Sequence, residues 1–80
     1  MVVRVLLFSH VRQALGETEL EIEIAEGTTV DTAAEGLRRR AAGALDGVPL
    51  AFAVNQVYVN GSHALADGDE LALIPPVQGG

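Results

Sequence analysis

The chain has 80 residues, no cysteine, and a formal charge of −6 from eleven acidic residues against five arginines. A domain of that length buries only about 60 to 65% of its unfolded surface, which leaves room for one core and little for an enclosed substrate pocket, so a self-sufficient enzyme is disfavoured. The missing cysteines exclude disulfides, thiolate metal sites and a nucleophilic thiol, and the acidic balance disfavours phosphate-backbone binding and favours encounter with a basic partner.

The first apolar run, Val2 to Phe8, is β-branched and aromatic over a strand's length, with too few polar positions for a strand exposed on both faces. It is expected inside a sheet. It is too short, and too interrupted by Arg4, to be a signal peptide or a membrane span, so no membrane association and a cytoplasmic location are expected. Ser9 is expected to cap a short helix through Val11, Ala14 and Leu15 that Gly16 ends.

Glu19 to Ile24 alternates acidic and apolar residues without a break, which predicts a strand with a buried face and an acidic solvated face. A turn at Glu26-Gly27 leads to Thr28 or Thr29 as N-cap of the main helix, with Asp31 in its first turn. Val30, Ala33, Ala34, Leu37 and Ala41 form its apolar face, and Arg38 to Arg40 read as a solvated basic helix end. Gly36 costs about 1 kcal/mol relative to alanine there, for which close packing against the sheet is the expected reason.

After Gly43 and Gly47, Leu50 to Val54 and Val57 to Val59 are two short strands separated by Asn55-Gln56, and Asn60-Gly61 is the expected tight hairpin turn. Asp67-Gly68-Asp69 makes a further turn into a last strand, Glu70 to Ile74, which stops at Pro75-Pro76 because proline cannot donate to a ladder. The order predicts one α+β domain over residues 1–74: a mixed sheet, one main helix on one face, and the other face partly exposed or covered by a partner. Residues 75–80 are expected to form a flexible extended tail, stiffened at Pro75 and Pro76 and spanning at most about 20 Å. Its terminal Gly79-Gly80 suits a narrow channel, since no side chain widens it or shields the terminal carboxylate.

Four stretches carry a family resemblance: Val5-Leu6-Leu7-Phe8-Ser9-His10-Val11-Arg12-Gln13 near the start, Ala53-Val54-Asn55-Gln56, Leu65-Ala66-Asp67-Gly68-Asp69-Glu70-Leu71, and the closing Pro75-Pro76-Val77-Gln78-Gly79-Gly80. Together they resemble the small subunit of molybdopterin synthase, a ubiquitin-like sulfur-carrier family, over essentially the whole chain. The resemblance implies a ubiquitin-like β-grasp fold and a subunit with no catalysis of its own. It implies that an ATP-using enzyme adenylates the Gly80 carboxylate, that a sulfur donor enzyme converts it to a thiocarboxylate, and that the tail enters a large subunit. There its sulfur passes to a cyclic pyranopterin during molybdenum cofactor synthesis, within a heterotetramer. Gly80 would carry the sulfur and Gly79 would permit entry. Phe8, Tyr58 and Ile74 would form an apolar docking patch, and Pro75, Pro76, Val77 and Gln78, the tail before the glycines, would contact the partner.

No bound cofactor or metal is expected, since His10 and His63 are the only histidines and stand far apart. Arg12 reads as a solvated surface residue, His63 as a surface residue, and Asp67, Asp69 and Glu70 as turn chemistry before a contact for the activating enzyme. Two other functions share the activated carboxylate: a thiamine-pathway sulfur carrier, whose members are usually shorter and lack Pro-Pro before the tail, and a protein modifier joined to targets through Gly80.

Overall fold

A computed structural model describes residues 1–75. Its strands are β1 (Val2–Leu7), β2 (Glu19–Glu23), β3 (Ala51–Val54), β4 (Val57–Val59) and β5 (Glu70–Ile74), and its helices α1 (Ser9–Leu15) and α2 (Val30–Arg40). They form one five-stranded sheet in the order β2-β1-β5-β3-β4, with β1 and β5 parallel and the other neighbours antiparallel. This is the mixed α+β arrangement expected, and β1 is an interior strand.

Alternation along the strands decides which side is core. Val3, Val5 and Leu7 of β1, Leu20 of β2, and Leu71 and Leu73 of β5 are buried together with Val30, Ala33, Ala34 and Leu37 of α2. One stripe of the helix and one face of the sheet therefore close a single core. Leu45, from the glycine-rich loop after α2, and Leu65 complete it, and neither stands in a periodic run that would have marked it. The glutamates of β2 are exposed, as its alternation required.

Several local expectations need correction. Phe8, not Ser9, occupies the N-cap of α1, and it makes no side-chain capping bond; Ser9 sits in the left-handed region at φ 51°. Gly16 ends α1 in left-handed geometry, as expected. Thr29 caps α2, its hydroxyl accepting from the Thr32 N–H at 3.4 Å.

The tight hairpin turn is Asn55-Gln56, at φ 51° and 70°, and not Asn60-Gly61. Asn60 instead turns the chain by accepting from the Ser62 N–H at 3.0 Å, and the Gly61 carbonyl accepts from the Asp31 N–H at 2.9 Å. A Cβ on Gly61 would overlap the Asp31 carboxylate where it now lies, so a side chain here requires that exposed carboxylate to turn away.

Arg38 is not solvated: its guanidinium donates to the carbonyls of Leu45 at 2.5 Å and Val48 at 2.8 Å and so ties the glycine-rich loop to α2. Nor does packing explain Gly36, since a Cβ there would meet no atom within 4 Å beyond its own stretch of helix.

Candidate functional site: the open face of the sheet

The face of the sheet opposite α2 is assembled by register. Leu6 pairs with Ala72, Ala72 with Ala53, and Ala53 with Tyr58, so one row of side chains crosses β1, β5, β3 and β4 on the open side. In the next row Ile74 pairs with Ala51, and alternation beyond Leu6 brings Phe8 to the same end. Phe8 and Tyr58 are 45% and 73% exposed, while Ile74 is half-buried.

Three strand spacings, about 14 Å, separate the strand lines of Phe8 and Tyr58, and the small residues Ala51, Ala53 and Ala72 lie between them. The result is a low apolar floor framed by two aromatic rings. Bulky exposed aromatics beside small residues are what an interface core uses, because a partner side chain can desolvate between them.

The opposite end of this face is charged. Arg4 donates to the Glu70 carboxylate across β1 and β5, and Glu21 stands opposite Arg4 on β2. That hydrogen bond, with the attraction of Glu70, Glu19 and Glu21, holds the guanidinium pKa above its already high ordinary value, so Arg4 stays cationic. The Asp67-Gly68-Asp69 turn is built as turn chemistry: Asp67 accepts from the Val2 N–H at 2.8 Å, and Asp69 accepts from Ala66 N–H at 2.8 Å and Asn55 Nδ2 at 2.9 Å. Asn55 returns a bond, its Oδ1 accepting from the Glu70 N–H at 3.0 Å.

The structure thus brings Phe8, Tyr58 and Ile74 onto one face. Pro75, expected as the root of the tail, is buried, and it follows Ile74 at the end of the sheet where Phe8 and Ala51 stand. Pro76, Val77, Gln78, Gly79 and Gly80 lie outside the described residues. Sequence reading alone did not select Leu6, Ala51, Ala53 or Ala72. Their place on this face follows from strand register, which alternation within one strand does not reveal. Among the described residues, no group of three or more histidine or acidic side chains is placed to hold a metal, and no helix is long and apolar enough to cross a membrane.

A family model described as the ThiS family matches residues 5–80. The chain belongs to the ThiS family. It is 38% identical to the molybdopterin synthase sulfur carrier subunit of Escherichia coli, covering 98% of this chain and 99% of that one. To the protein of the same description from Chlamydomonas reinhardtii it is 41% identical, covering all of both chains.

Among solved structures, small archaeal modifier protein 1 of Haloferax volcanii superposes with a TM-score of 0.80 at 28% identity, covering 95% of this chain and 98% of that one. A chain of the complex between subunits 1 and 2 of the Helicobacter pylori molybdopterin-converting factor matches at 0.69 and 28%, covering all of both. A Caldiarchaeum subterraneum ubiquitin, at 0.63 and 20% over 100% of this chain and 98% of that one, shares the fold alone. The fold is therefore the ubiquitin-like β-grasp.

Proposed function

We propose that this chain is the sulfur carrier subunit of a molybdopterin synthase. The observation that carries the reading is the family match, which runs through residue 80 and so includes Gly79-Gly80, together with near-complete similarity to relatives described as such subunits. The Gly80 carboxylate is the working group. It is a poor electrophile until it attacks the α-phosphorus of ATP on an activating enzyme; pyrophosphate leaves, and the acyl-adenylate has a good leaving group. Sulfide-level sulfur delivered by a donor enzyme attacks the acyl carbon and expels AMP, leaving a thiocarboxylate, a sulfur nucleophile that needs no cysteine. ATP is consumed by the partner, and this chain holds no cofactor of its own.

The open face would dock the large subunit, with Phe8, Tyr58 and Ile74 as anchors around the alanine floor. Support comes from the Helicobacter pylori relative, which was solved as a complex of subunits 1 and 2. Pro75 beside that face would start the tail, Pro76, Val77, Gln78 and Gly79, on its way into the partner's active site, where the sulfur meets a cyclic pyranopterin.

A second reading is favoured by the likeness to the archaeal modifier protein: Gly80 joined to amines of target proteins. Intact mass after incubation with ATP, a sulfur donor and the activating enzyme separates the two. A gain of about 16 Da localised to Gly80, oxygen exchanged for sulfur, is the expected result. Conjugates to other proteins without that gain would overturn the carrier reading.

A further inference from the structure

Away from the open face, β2 and α2 enclose a second feature that the sulfur-carrier reading does not use. Between them runs a groove of about 270 Å³ lined by Ile22, Ile24, Thr32, Ala33, Gly36 and Arg40. Gly36 keeps it open. A glycine in a helix interior costs about 1 kcal/mol relative to alanine, and here no neighbouring atom demands it. Ile22 and Ile24 are only half-buried, so the groove presents apolar surface to solvent.

Beside the groove, β2 is an edge strand: among the described residues only β1 pairs with it. Met1 and Ile24 exchange both backbone bonds, at 2.7 and 2.8 Å, so alternation turns the N–H and C=O of Glu19, Glu21 and Glu23 to the free edge. The side chains of those three glutamates lie on the open face, and Leu20 and Ile22 face the helix.

We propose that this edge and groove bind an extended segment of a partner protein in which basic and apolar residues alternate, added as a sixth strand beside β2. Residues opposite one another in a ladder share a face. The added segment's positions across from Glu19, Glu21 and Glu23 therefore meet carboxylates and call for lysine or arginine. Its alternate positions turn towards the groove, where aliphatic side chains fill the space over Gly36. Backbone bonds to the edge supply affinity, and the two alternating sets supply specificity, as in other strand additions. The chain's charge of −6 raises the encounter rate with such a segment. The same glutamates could instead serve only to repel edge pairing, in which case no strand adds at all.

The probe is a short synthetic peptide alternating lysine and valine, titrated into the isotope-labelled full chain and followed by NMR; a glutamate–valine peptide is the comparison. Expected are shifts at the amides of Glu19, Glu21, Glu23 and Gly36, binding weakened by salt, and no response to the acidic peptide. Gly36→Leu, folded by its own spectrum, should weaken the lysine peptide by about tenfold or more, and Glu21→Arg should do the same. If Gly36→Leu does not fold, Gly36→Ala, which the open space admits, should fold and weaken binding by a smaller factor. Absence of shifts, shifts confined to the face of Phe8 and Tyr58, equal response to both peptides, or affinity indifferent to the Gly36 variants would each overturn the proposal.

Discussion

The two faces of the sheet are made from the same strands yet finished differently. Towards α2, Val3, Val5, Leu71 and Leu73 are wholly buried; on the opposite side Val2, Phe8 and Tyr58 are at least 42% exposed. In β1 the two sets alternate, so position within the pleat, and not residue type, separates them. Apolar side chains on the α2 side hold the fold. On the open side Ala53 is buried, whereas the exposed Phe8 and Tyr58 contribute little to the fold and remain free to meet a partner.

The largest break in that comparison comes from the packed side. Leu71 is completely buried, between Val5 on β1 and Val54 on β3 in the ladder, and Leu71→Ala should cost about 2–5 kcal/mol, read from the denaturant midpoint. In a domain this small, such a loss approaches the whole stability. An intermediate effect is expected from Arg38→Ala. It removes the two bonds to Leu45 and Val48 and frees the loop that delivers Leu45 to the core, for about 1–3 kcal/mol. A stability unchanged by that substitution would show that the loop holds its place by Leu45 packing alone.

Arg38 also shows where the sequence was legible and where it was not. β2 and α2 stand out because each carries an uninterrupted period, two for Glu19 to Glu23 and between three and four for Val30 to Leu37, while β5 is marked by the turn before it and the prolines after it. The role of Arg38 depends on carbonyls seven and ten residues away, in a loop without periodicity, so the arginine run reads as a plain helix end. The hairpin turn was misplaced for a related reason. Asn60-Gly61 has the preferred composition, but its backbone is used to meet the start of α2 through the Asp31 N–H, while Asn55 and Gln56 are held in left-handed geometry by the strands they join. On the open face, Phe8, Tyr58 and Ile74 were suggested by family resemblance, whereas the alanines between them needed the register.

The smallest change in stability is expected at Phe8, and there the comparison is sharpest. Phe8 is exposed and stands at the N-cap of α1 without a capping bond, a position that aspartate favours. The most direct test measures, for Phe8→Asp, the affinity for the large subunit of the synthase beside the unfolding free energy. The account predicts stability within about 0.5 kcal/mol of the parent chain and affinity reduced by about tenfold or more. Unchanged affinity in the folded variant would remove Phe8 from the interface and contradict the assignment of the open face to docking.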